Sequence, residues 1–288
     1  MLGVAWALLV ARPAPAGELA ITDDRGSTLA LSRPAGRIVT LSPHLTELAY
    51  AAGAGDKLVA VARYSDYPAA ARALPQIGDA AQVDLERVLA LEPDLILAWK
   101  SGNAPADIAS LERLGLRVYV SDAARFGDVA RVLRTIGRLA GTAQTAEQRA
   151  ARFEQEIDRL RGRYAGRAPL RVFYQIWDRP LITVNGGHII SDVLALCGGV
   201  NVFAHAALLT PSVSLEALVA VRPDVVVGGS YASSSDELVA QWRGLPVDAL
   251  RRLPVIAVPP DLIQRQTPRI ALGAALICRQ LENLRTSR

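Results

Sequence analysis

Two stretches 130 residues apart decide the fold: Val83–Leu97 reads VDLERVLALEPDLIL, and Val213–Val227 reads VSLEALVAVRPDVVV. Each opens on a polar residue suited to a helix N-cap, Asp84 or Ser214, followed by a Leu-Glu first turn and an apolar stripe at helical spacing. Pro-Asp then stops the helix, and the apolar, partly β-branched run after it predicts a buried strand. Another strand leads into a loop and helix ahead of each copy, at Arg37–Leu41 (RIVTL) and Arg171–Gln175 (RVFYQ). A unit present twice predicts two similar α/β lobes with mostly parallel strands.

Working outward, Glu18–Leu31 reads as a hairpin around Asp24-Arg25-Gly26. Ser42-Pro43 supplies a helix cap and a proline at the first helical position. That helix should run through Leu45, Leu48 and Ala49 and stop at Gly53 or Gly55, with a strand at Val59–Ala62 after it. Phe126–Tyr164 has no proline, and apolar residues recur at Val129, Val132, Leu133, Ile136, Leu139, Phe153, Ile157 and Leu160. This predicts an amphipathic helical connector with a break near Gly141-Thr142. The expected organisation is an N-terminal α/β lobe over 17–125, a long helical connector over 126–167, a C-terminal α/β lobe over 168–288, and a ligand cleft between the lobes. A helical joint is stiffer than a Gly/Ser-rich linker, so only a small hinge motion is expected. That suits ligand capture better than multi-step chemistry.

Composition narrows the function. Of 288 residues, 51% are hydrophobic and 21% charged, enough apolar surface for two cores and too much for a disordered chain. Lys and Arg number 32 against 28 Asp and Glu, and the signs are interspersed, which argues against a nucleic-acid groove. Two Cys and three His exclude a zinc-finger array or a dense disulfide scaffold. Residues 2–10 (LGVAWALLV) are too short a run to span a bilayer, and Ala14-Pro15-Ala16 has the small-x-small pattern of a signal-peptidase site. Met1–Ala16 is therefore expected to be a secretory signal. A buried first strand or helix is the alternative, which two Ala-Pro steps would break. No basic residue precedes the run, as if the true start lies upstream, and no Cys follows it to carry a lipid anchor. No other stretch has the length and apolarity for membrane insertion.

In open α/β sheets ligands gather at the carboxyl ends of strands. The residues falling there include Tyr64 and Tyr67, Trp99, Trp177, Asp261 and, a little further on, Arg265. Aromatics are only 5% of the chain, so their concentration at strand ends suggests flat walls for a large planar or amphipathic ligand. The plainer alternatives are packing at lobe edges for the aromatics, and a mutual ion pair for Asp261 and Arg265. Gly-x-Ser-x-Gly, a P-loop and Gly-x-Gly-x-x-Gly are absent, and His44, His188 and His205 lack a paired ligand spacing. Neither an enzyme, nor a metal site, nor a resident cofactor is expected. A metal-dependent α/β hydrolase would need His188 or His205 to reach the cleft beside carboxylates. Glu86 and Glu216 are the matched acids of the repeat. Each favours its own helix dipole, and together they could form a two-pronged docking surface for a pseudo-symmetric basic partner. Cys197 and Cys278 should pair in an exported chain; the alternative is two buried thiols.

The runs RIVTLSPHLTELAYAAG, RYSDYP and VDLERVLALEPDLILAWKSGN, with LALCGGVNVF, VSLEAL and TPRIALGAALICRQL further on, carry a resemblance. Over nearly all of Arg37–Leu284 the chain resembles the helical-backbone substrate-binding family of ABC importers, which includes receptors for vitamin B12 (cobalamin), siderophores and haem. It is most similar to the cobalamin-receiving members. The resemblance implies a periplasmic, monomeric protein that captures a corrinoid and delivers it to the membrane permease subunits of an importer. It implies that Tyr64, Trp99 and Trp177 match or adjoin the cleft walls, and that Asp261 and Arg265 match polar positions at the mouth. It also implies that Glu86 and Glu216 engage arginines of the permease and that Cys197 and Cys278 form a disulfide. Two positions depart: Ala80 and Leu262 stand where aromatics can occur. A siderophore receptor should show an arginine cluster at the strand ends, which is lacking. A haem receptor would need an axial ligand, for which Tyr64 or Tyr67 could serve.

Overall fold

In three dimensions the Pro-Asp step of each repeat is a brace. The computed structural model describes residues 19–229 and 236–287, and the expected signal at Met1–Ala16 lies outside them. β1 (Leu19–Thr22) and β2 (Thr28–Leu31) form the antiparallel hairpin, with Leu19 opposite Leu31. The first lobe continues as β3 (Ile38–Thr40), α1 (Pro43–Ala51), β4 (Leu58–Val61), α2 (Leu85–Ala90), β5 (Leu95–Trp99), α3 (Pro105–Arg113) and β6 (Val118–Ser121). Two helices come next, α4 (Phe126–Ala140) and α5 (Ala143–Tyr164). The second lobe holds β7 (Leu170–Gln175), α6 (Ile189–Leu196), β8 (Gly199–Asn201), α7 (Leu215–Val221) and β9 (Val225–Gly229). It is completed by α8 (Asp236–Arg243), α9 (Asp248–Arg251), β10 (Val255–Val258) and α10 (Ile270–Thr286).

The two sheets are parallel, ordered β4-β3-β5-β6 and β10-β9-β7-β8. Counted within each lobe, from β4 and from β8, both run second, first, third, fourth strand, so the sequence repeat is also a topological one. In the first lobe the Asp94 carboxylate accepts the backbone N–H of Gly36 (2.9 Å) and Arg37 (2.8 Å), while the Arg37 guanidinium donates to the carbonyls of Leu91 and Glu92 that end α2. In the second, Asp224 accepts from the Arg171 N–H (2.7 Å), and the Arg171 side chain donates to Val221 and Arg222 carbonyls at the end of α7. One Asp and one Arg thus satisfy a strand start and a helix end in each copy. The N-caps also match: Asp84 accepts from the Arg87 N–H and Ser214 from the Ala217 N–H. Ser42 differs, since its hydroxyl bonds His44 Nδ1 (3.1 Å) and caps no amide of α1.

The helical stretch breaks at Gly141, which takes φ +72° in the left-handed region. The chain then folds back, so α4 and α5 form a hairpin in which Arg134 holds Glu147 and Glu154, both at 2.7 Å. One continuous core draws buried residues from both lobes and this hairpin: Leu97 of β5, Ile136 of α4, Phe153 of α5, Val172 of β7 and Val227 of β9. Smaller clusters fill the outer sheet faces, around Val39, Ile96 and Leu111 and around Phe173, Val226 and Trp242. The Cys197–Cys278 disulfide ties the end of α6 to α10. Among the described residues no helix is long and apolar enough to cross a membrane.

Candidate functional site

The carboxyl ends of the two sheets face one another. Arg265, beyond β10, crosses to the first lobe and donates to Glu47 of α1 (2.8 Å), to Asp66 beyond β4 (2.7 Å) and to the Tyr64 carbonyl (3.3 Å). Elsewhere along the seam Arg125, ahead of α4, pairs with Asp192 of α6. The strand-end loops of the two lobes therefore meet along this seam.

On the first-lobe wall Tyr64 adopts φ +67°, a conformation rare for a residue with a side chain. It is held there by Arg265 on its carbonyl, and its side chain stays 67% exposed. Trp99 is the last residue of β5 and lies edge-to-face against His44, with centroids 5.0 Å apart. Gly102 packs so closely on the indole that a Cβ there would stand 1.9 Å from Trp99 Cε3. The buried Asn103 accepts the Trp99 N–H (2.7 Å) and donates to the carbonyls of Leu41 (3.0 Å) and Ala80 (2.9 Å). One amide thus joins the ends of β3 and β5 to the loop that carries Ala80.

The second-lobe wall centres on Trp177, 59% exposed, whose Nε1 donates to the Arg179 carbonyl (3.2 Å). A hollow of about 470 Å³ beside it is lined by Gln175, Trp177, Asp178, Gln241, Pro260 and Gln264, and its rim includes Glu237. Leu262 is half-buried nearby in the segment after β10.

Asp261 and Arg265 pair with each other, Asp261 Oδ1 lying 3.0 Å from Arg265 Nη2. The contact is out of line with the N–H, so that oxygen makes an ionic contact without a hydrogen bond. Burial raises the Asp261 pKa above the ordinary carboxylate range, and Arg265 opposes that rise. The centre of the seam is Glu47, which sequence reasoning did not single out. Its side chain is 2% exposed and also accepts from Arg269 Nε (2.9 Å) and Nη2 (2.7 Å). Arg269 in turn lies 3.9 Å over the Tyr67 ring. The signal was available: Glu47 interrupts the apolar run of α1 beside Leu45 and Leu48, and a carboxylate on a buried face requires a cation.

Two of the three histidines serve structure. His44 is buried, and desolvation, aided by the charge of Arg265, pushes its pKa down to about 3. His188 caps α6 through Nδ1, and burial pushes it down to about 4. His205 is exposed. Among the described residues no group of three His, Cys, Asp or Glu is placed to hold a metal ion. Glu86 and Glu216 sit exposed in the first turns of α2 and α7, at equivalent points of the two lobes. The Ser214 hydroxyl holds the Glu216 carboxyl below its ordinary range.

The family model described as "Periplasmic binding protein" matches residues 38–243. The chain is 37% identical over 256 residues to the vitamin B12-binding protein of Vibrio cholerae serotype O1, covering 89% of this chain and 92% of that one. It is 40% identical over 255 residues to the vitamin B12-binding protein of Yersinia pestis, covering 88% and 89%. The crystal structure of the periplasmic vitamin B12 binding protein of Vibrio cholerae superposes with a TM-score of 0.77 at 36% identity, covering 86% of this chain and 97% of that one.

Proposed function

The chain belongs to the periplasmic binding protein family, and on that premise we propose that it captures cobalamin or a related corrinoid in the interlobe cleft and hands it to an ABC importer. It is a binding protein and not an enzyme, and cobalamin is its cargo and not a cofactor. What supports the ligand is the set of aromatic side chains at the strand ends: Tyr64 and Trp99 on one lobe and the exposed Trp177 on the other would offer flat faces to a large ring. Asp261 and Arg265 contribute the polar edge of the same cleft. Ala80 and Leu262 leave it wider than aromatics there would.

The charges favour an uncharged rim over an anionic one. Asp178 and Glu237 line the second-lobe hollow against a single arginine, Arg179, whereas Arg265 and Arg269 are engaged by Glu47. Haem or siderophore carboxylates would meet two like charges there for one arginine. Haem keeps one specific attraction, the exposed Tyr64 phenol as an axial ligand, and so is the competitor to include.

In this reading Met1–Ala16 directs export to the periplasm, and the mature chain acts as a monomer. Residues 17–125 and 168–288 are the two gripping lobes, and 126–167 is the stiff connector that permits only small rotations. Glu86 and Glu216 dock onto permease arginines, which pry the lobes apart. Calorimetric titration of the mature chain from Gly17 should give tight one-to-one binding of cyanocobalamin, not displaced by haemin. Trp99→Ala should weaken it by about tenfold or more. A titration that shows no cobalamin binding, or haemin alone, overturns the corrinoid assignment.

A further inference from the structure

A chain of three side chains fixes the orientation of an amide that lines the second-lobe hollow. Trp242 of α8 is 1% exposed, packed against Phe173 at 5.7 Å between centroids, and its indole nitrogen can only donate. It donates to Gln175 Oε1 at 2.7 Å. With its oxygen so engaged, the buried Gln175 turns Nε2 toward α8 and donates to Gln241 Oε1 at 3.1 Å. Gln241 is half-buried and lines the hollow, and one lone pair of its oxygen is engaged, which fixes how the amide is turned. Its N–H₂ group remains wholly available to a ligand, beside the oxygen's second lone pair. Asp178 lines the same wall and offers carboxylate acceptors, its exposed pairing with Arg179 at 3.3 Å being weak. A donor beside an acceptor is the complement of a primary carboxamide, which accepts at C=O and donates at N–H₂. A carboxylate fits less well, because it would meet Asp178 as like charge and only the exposed Arg179 offsets that charge in the lining.

We infer that Gln241 is a specificity-determining residue that donates its amide N–H to a peripheral carboxamide of the ligand, with Trp242 acting through Gln175 as the positioning residue. This rests on the corrinoid reading above, since the corrin rim carries acetamide and propionamide arms whereas the haem rim carries carboxylates.

The test uses the mature chain with cyanocobalamin and with the separated monocarboxylate isomers made by hydrolysing single rim propionamides. Wild type should bind one isomer about tenfold or more weaker than cyanocobalamin, because that carboxylate faces Asp178. Gln241→Leu should weaken cyanocobalamin about fivefold to tenfold and flatten the differences among isomers. Trp242→Phe, checked for folding by its melting curve, should keep cobalamin binding but lose part of the isomer preference, a readout that mere packing would leave alone. If Gln241→Leu retains wild-type affinity and isomer preference, the inference fails while cobalamin binding stands. If Trp242→Phe keeps the full preference, the orienting relay fails. If wild type binds no cobalamin, the functional reading itself fails.

Discussion

Two buried residues of α1, His44 and Glu47, respond oppositely to the same guanidinium. Arg265 neutralises Glu47 and lowers the pKa of His44, already depressed by desolvation. The imidazole is kept uncharged to about pH 3, against 6.5 when solvated. Below pH 6.5 the unfolded chain takes up a proton that folded His44 refuses. Stability from this site is therefore complete above 6.5 and falls as pH drops toward 3, by about 1.4 kcal/mol per pH unit. His188 adds a similar loss down to about pH 4. Urea unfolding between about pH 4 and 6 should show a slope shallower in His44→Gln than in wild type by that amount per unit; superimposed slopes would refute the assignment. This residue was visible in the sequence only as a histidine in a first helical turn. Nothing local told that Arg265, more than two hundred residues on, would sit beside it.

At the scale of elements, α2 and α7 are short helices whose ends are already served. Asp84 and Ser214 cap their N-termini, and Arg37 and Arg171 take up their last carbonyls. Glu86 and Glu216 are thus not needed to close either helix, and both point to solvent. The double variant Glu86→Ala/Glu216→Ala should melt close to wild type and bind cobalamin unchanged. Uptake of cobalamin by cells carrying the importer should fall by about tenfold or more. Undiminished uptake would remove the docking role. The repeat was legible because its parts are local: a cap, a stripe, a proline and a β-branched run, each acting within a few residues. The brace between Asp94 and Arg37 was not, because it joins positions that touch only once β5 has paired beside β3.

At the scale of the molecule, the lobes meet through a buried ionic hub in which Glu47 holds Arg265 and Arg269, while Asp66 and Asp261 share Arg265. Removing one partner of such a cluster strands the others in a poorly solvated place. Glu47→Gln should cost about 3 kcal/mol in unfolding free energy. It should also enlarge the unliganded radius of gyration seen by small-angle scattering, because the seam loses its common anchor. Unchanged stability and dimensions would show that the hub does not hold the lobes. The sequence by itself determined the two parallel α/β units, the helical joint with its break, and the aromatics waiting at strand ends, because caps, prolines and apolar periods are short-range instructions. Only the tertiary structure decided that Arg265 reaches across to Glu47 and Asp66 and that Glu47 commands the seam. It also decided that Trp242, through Gln175, fixes how the Gln241 amide is turned. Ion pairs and amide orientations depend on which distant groups share a desolvated space, and that space exists only after the two sheets have been brought end to end.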